Sequence, residues 1–216
     1  MQMRPAIRPL MGVLGIAACY HAATTPTQYA LRPGGPVSMS SSDSILGDAP
    51  FDLEARLEQV PLLRTVVLPP DVREIRISDW FGMIAGSPIP YLSLKENGSE
   101  VEGSLGILYG CGHAPEAQRV KWCSRIVRSD SGLDWRSVSN SLDSLGAWNL
   151  LERCETDGIH WTDSGALLIQ RLEGPEFSTY TCNTPSARSG PIGGRAKAIY
   201  DLFQSLVKRH VSPPHT

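Results

Sequence analysis

The sequence predicts an α+β fold: a single antiparallel sheet of about five strands, in the order β-β-β-α-β-β-α, with the helices on one face. Three observations carry this. Val72-Arg73-Glu74-Ile75-Arg76-Ile77 alternates apolar and polar residues with the period of a half-buried strand. Asn97-Gly98 lies between two further strand-like runs and is a hairpin turn signal, because both residues tolerate positive φ. Two later stretches repeat their apolar residues at helical spacing, each beside a pair of strands or a turn.

Taken in order, Asp48 is placed to cap a short helix over about 50–60. The strand at Val72–Ile77 follows, then the hairpin formed by Tyr91–Lys95 and Val101–Leu108. Asp134 is a good N-cap for a helix that sets Trp135, Val138, Leu142 and Leu145 on one face and ends at Gly146. Strands over about 166–172 and 176–183 are separated by Glu173-Gly174-Pro175. The last helix, over about 194–209, turns Ile199, Leu202, Phe203 and Leu206 inward. Strand runs followed by a helix, twice over, suit a sheet with helices packed on one side.

The chain has 216 residues, of which 41% are hydrophobic, enough for one sizeable core in one domain. Its formal charge is −2, a mildly acidic balance that argues against nucleic acid as a partner, since phosphate binding needs clustered Lys and Arg. The stretch from His21 to Asp48 is rich in Ala, Thr, Pro, Gly and Ser and buries too little to offset its ordering entropy. The expected organisation is a signal peptide over 1–18, a flexible tether over 19–48, the α+β domain over 49–210 and a disordered tail over 211–216.

The amino terminus sets this division. Arg4 and Arg8 precede the uncharged run Leu10–Ala18, the layout of a secretory signal. That run is well short of the roughly 20 residues needed to span a bilayer. Its end, Ile16-Ala17-Ala18-Cys19, resembles the lipobox of bacterial lipoproteins, an aliphatic and two small residues before a cysteine. The resemblance implies that Cys19 is acylated, becomes the first residue after cleavage and holds the protein to a lipid bilayer. Several chains, palmitate among them, are needed for stable retention, because one chain holds only marginally. The resemblance also implies that Tyr20, standing where an Asp would retain the protein in the inner membrane, favours the outer membrane of a Gram-negative cell. Losing Arg4 and Arg8 with the signal takes the formal charge to −4.

Four cysteines remain, and an even number in an exported chain reads as two disulfides. Four cysteines allow three connectivities. The expected one is Cys111–Cys123, closing the loop between the hairpin and the first core helix, with Cys154–Cys182 tying that helix's exit to the fifth strand. Cys111, His113 and Cys123 could instead face a metal, but a structural zinc site wants four ligands and the paired spacings are missing, so no metal and no cofactor are expected.

Three further groups carry possible chemistry. Asp157, His160 and Asp163 share one polar loop, in which His160 could move a proton and an aspartate orient it. The bland alternative is a turn, because Asp-Gly and Ser-Gly are ordinary turn dipeptides and Ser164 sits in no nucleophile elbow. Ser189–Lys197 is glycine-rich and opens a helix, so Arg195 and Lys197 could hold an anion there, although the ending of a P-loop is missing. Trp135 and Trp148 suit the core, which leaves Trp80-Phe81 as the plausible exposed aromatic pair for a ligand. The expected function is a membrane-anchored envelope lipoprotein that binds a peptide, a glycan or an envelope protein without catalysis. The alternative is a hydrolase that acts on cell-envelope material through the Asp157, His160 and Asp163 loop.

Overall fold

The strand at Val72–Ile77 continues to Trp80, and its nine residues lie inside the sheet, not at its edge. A computed structural model describes residues 29–34, 60–80, 88–114, 119–128, 132–150, 154 and 165–211. In chain order these contain β1 (Ala30–Leu31), β2 (Val66–Val67), β3 (Val72–Trp80), β4 (Ile89–Asn97), β5 (Glu100–Ala114), β6 (Arg119–Arg128), α1 (Trp135–Ser144), β7 (Ala166–Glu173), β8 (Glu176–Asn183) and α2 (Gly190–His210). The main sheet runs β6-β5-β4-β3-β7-β8 with every pair antiparallel, and β1 pairs with β2 in a separate two-stranded sheet. The fold is α+β with both described helices on one face.

The sheet has one strand more than expected. β6 occupies a segment read as connection, since Arg119, Lys121, Arg125 and Arg128 dilute the spacing of Val120, Trp122 and Ile126. Cys111–Cys123 therefore does not close a loop before the helix; it joins two paired strands beside a register shift between Gly110 and Gly112. The second disulfide, Cys154–Cys182, ties the chain beyond α1 to β8, with Cα atoms 5.1 Å apart. These bonds close loops of 12 and 28 residues. Chain entropy assigns each about 3 kcal/mol. Disulfides of this kind persist in an oxidising compartment, which is where exported proteins reside.

The Asn97–Gly98 turn forms as its residues dictate: Asn97 pairs with Glu100, and Gly98 takes φ +54°. Asp134 caps α1 by accepting from the Ser137 amide at 3.1 Å. Successive turns of α1 then meet successive strands. Trp135 lies on Gly103 of β5, Ser139 donates to Glu96 of β4, and Asp143 receives Arg73 of β3 at 3.1 Å. The Arg73 guanidinium also binds Glu96 at 2.6 Å and stacks 4.3 Å from the Trp148 ring centre, a cation–π contact. Beyond α1, buried Arg171 of β7 donates to the carbonyls of Ala147, Trp148 and Leu150, fixing the turn that leaves the helix.

α2 begins at Gly190, four residues before the expected start, with Pro191 in the first turn, where its missing amide costs nothing. It buries Ala196, Ile199, Phe203, Leu206 and Val207 against Ile75, Ile77, Leu92, Leu94, Leu167 and Ile169. The core continues past the helix: Val211, expected in the frayed tail, is buried and its amide bonds to Val207 at 2.8 Å. Likewise the tether expected over 19–48 is interrupted, because residues 30–31 are strand and Arg32 donates to Thr65 at 2.8 Å. Leu63, Val66, Leu68, Val72 and Leu172 form a second small core on the opposite side of the sheet, with Tyr29 packed against it. The helix expected over about 50–60 falls almost wholly outside the described residues, as do 212–216.

One close approach tests this packing. A Cβ on Gly103 would sit 2.3 Å from the Trp135 ring and 2.9 Å from Leu94. Gly103→Ala is expected to destabilise the protein by about 1–3 kcal/mol, the usual cost of overpacking, read as a lower midpoint in urea unfolding with an unchanged slope.

Candidate functional site

Among the described residues, the face of the sheet opposite α1 and α2 holds a dense group of buried charge. On β3, Ile75 and Ile77 belong to the core shared with the helices, so Glu74, Arg76 and Ser78 lie on the other face by strand alternation. Register sets Lys95 opposite Glu74, Ser93 and Gln170 beside Arg76, and Tyr91 opposite Ser78. Glu74, Arg76, Ser78 and Tyr91 are each 1% exposed. Tyr91 fits because Gly106 faces it: a Cβ there would sit 2.5 Å from the phenol.

Charge buried this deeply must be paired. Arg76 contacts Oε1 of Glu74 through Nη2 at 2.9 Å and Nε at 3.0 Å. Oε2 accepts from the Tyr29 hydroxyl at 2.8 Å, so both carboxylate oxygens are engaged. The Lys95 ammonium lies 3.9 Å from the Tyr29 ring centre, closing the group from the side. Burial lowers the Lys95 pKa below the ordinary lysine value, and burial followed by the nearby Glu74 raises that of Tyr29. The arrangement can accept hydrogen bonds at Glu74 and hold an aromatic ring beneath Lys95; here Tyr29, from the chain's own amino-terminal segment, does both.

A second polar group lies on the helix face. Asp79 is 5% exposed, and its Oδ2 accepts from Tyr200 at 3.1 Å and Gln204 at 2.7 Å, both on α2. Oδ1 has no hydrogen-bond partner among the described residues. Burial pushes the Asp79 pKa up to about 6, with the two donated bonds opposing the rise.

The residues expected to carry chemistry are distributed as follows. Cys111, Cys123, Cys154 and Cys182 form the two disulfides, which removes the thiolates that a metal at Cys111, His113 and Cys123 would need. Lys197 pairs with Asp201 one helical turn on at 2.5 Å. Arg195 points a guanidinium nitrogen toward Gly146, at the exit of α1. Neither contact is with the first amides of α2. Trp80 ends β3 opposite Ala166, so the strand ends leading to Phe81 and from Asp163 adjoin. The Trp80 side chain and Cys19, Phe81, Asp157, His160 and Asp163 lie outside the described residues. Among the described residues no group of three His, Cys, Asp or Glu side chains could hold a metal ion.

Sequence reasoning passed over Glu74, Arg76 and Tyr29. It placed Glu74 and Arg76 on the solvent side of a half-buried strand and Tyr29 in the tether. The available signal was opposite charge at i and i+2 on one strand face, with Lys95 on the next strand, where it pairs opposite Glu74.

Asp79 yields a pH-dependent prediction. A carboxyl whose folded pKa exceeds its unfolded value destabilises the charged protein, so stability should rise as pH falls from 7 through about 6 toward 4. Asp79→Asn is expected to raise stability at pH 7 by up to about 3 kcal/mol and to flatten that part of the profile. Urea melts between pH 4.5 and 7.5 check both outcomes; equal slopes for the two proteins across that range would contradict them. Comparison with known protein families, curated proteins and solved structures found no match to this chain.

Proposed function

We propose that the protein is a bacterial envelope lipoprotein, anchored through acylated Cys19, whose α+β domain binds a peptide, glycan or envelope protein without catalysis. The observation that carries this reading is the closeness of the fold to the lipobox-like Ile16-Ala17-Ala18-Cys19. Tyr29 is already seated on Glu74, ten residues past Cys19. Fully extended, that length spans about 35 Å, so a lipid on Cys19 would keep the domain beside its membrane. The two disulfides support export, since such bonds persist in oxidising compartments. No described helix is long and apolar enough to cross a membrane, so acylation would supply the attachment. The Tyr20 position supports the outer membrane in a Gram-negative cell.

The binding role is supported by where the buried charge is spent. Glu74, Asp79 and Arg171 each bind another part of the fold, with Arg76 paired to Glu74 along β3, and together they stiffen the middle of the sheet. Such rigidity suits presentation of loops at the sheet ends, where β3 leads into Trp80-Phe81.

Membrane fractionation after labelling with a palmitate analogue tests the anchor. The intact protein should label and sediment with the membrane, and Cys19→Ser should lose the label and retention together. Material co-purified with the intact protein but not with the variant identifies the partner class. Retention and labelling of Cys19→Ser would overturn the proposal.

A further inference from the structure

The amino-terminal segment touches the domain in an unusual way. β1 is two residues long and meets β2, itself two residues long. Among the described residues, the segment's hydrogen bonds outside that pairing are the Arg32 amide on Thr65 at 2.8 Å, the Arg32 guanidinium on Val66 at 3.2 Å and the Tyr29 hydroxyl on Glu74 at 2.8 Å, and the Tyr29 ring adds its contacts with Lys95 and the Leu63 core. Its one large apolar residue besides Tyr29, Leu31, is 78% exposed and contributes little to burial. By contrast β3 is bonded along its length to β4 and β7. Local unfolding free energy follows such differences, so the segment should open at far lower cost than the sheet.

What lies beneath is mixed: Tyr29 packs on the small core around Leu63 and also meets charge. Tyr29 covers the carboxylate of Glu74 and the ammonium of Lys95, two groups that hydrate readily once uncovered. Opening therefore costs the packing of one ring, Tyr29, on that small core, and solvation of charge offsets part of that cost. The chain turns directly after the segment at Pro33-Gly34, with Gly34 at φ +83°, a place where it can pivot.

We propose that Tyr29–Arg32 is a releasable strap, latched by the Tyr29 hydroxyl on Glu74, that gates access of water and ligands to Glu74 and Lys95. The strap stands on this geometry alone and does not rest on acylation of Cys19. If Cys19 is acylated, the latch also joins the anchor to the sheet, so release changes how freely the domain stands from the membrane.

Hydrogen exchange on the disulfide-intact protein without lipid tests the latch separately from the anchor. The Arg32 amide should exchange by local opening at least about 100-fold faster than the Leu92 amide of β4. Tyr29→Phe, which keeps the ring and removes the hydroxyl, should speed Arg32 by about tenfold and leave Leu92 unchanged. Acylation by a lysine-reactive ester gives a second reading: Tyr29→Ala should raise labelling of Lys95 several-fold relative to exposed Lys208. Exchange of Arg32 at the Leu92 rate, an unchanged rate in Tyr29→Phe, or unchanged Lys95 labelling would each overturn the strap.

Discussion

The central constraint on this structure is that its main sheet is covered on both faces at β3. A sheet with one wet face can place charge there freely; this one cannot. Glu74 and Arg76 project from the middle of β3 into a covered layer, and their ion pair is the arrangement that makes the second face tolerable. The rest follows from it. The pair leaves one carboxylate oxygen to satisfy, Tyr29 satisfies it, and Tyr29 brings β1 against β2. Removal of either charge would leave the other buried without its opposite charge, which is why the two act as a unit.

The opposite face solves the same problem with helices. α1 is fixed at both ends and along its length by polar contacts: its cap at Asp134, Ser139 on Glu96, Asp143 on Arg73 and the Arg171 fork beyond its exit. α2 relies chiefly on apolar burial, to which the Asp79 contacts with Tyr200 and Gln204 add a polar tie. A carboxylate buried beside the neutral donors Tyr200 and Gln204 makes this contact sensitive to pH.

Much of this architecture was legible residue by residue. The hairpin at Asn97-Gly98, the cap at Asp134 and the inward stripe on α2 each follow from local chemistry, because turns, caps and helix periodicity act over a few residues. β6 was hidden because its basic residues interrupt the apolar spacing. The second covered face was hidden for a deeper reason: alternation in a strand identifies two faces but says nothing about what lies against either one. Glu74 and Arg76 read as solvent-facing until Tyr29 and the residues around Leu63 are placed over that side of the sheet. A tyrosine within a Pro- and Gly-rich stretch gives no local sign that it will dock 45 residues away. The lipobox-like motif has the opposite character. It is strong local signal about an address, and it leaves the bound partner to be identified by capture from the membrane.

The most direct measurement of the central claim is a double-mutant cycle on the buried pair, using Arg76→Met, Glu74→Gln and both together in urea unfolding. Arg76→Met alone is expected to cost about 3–5 kcal/mol, and the double variant to be less destabilised than the sum of the singles by at least about 2 kcal/mol. Additive single effects, each within about 1 kcal/mol as for an exposed pair, would contradict it.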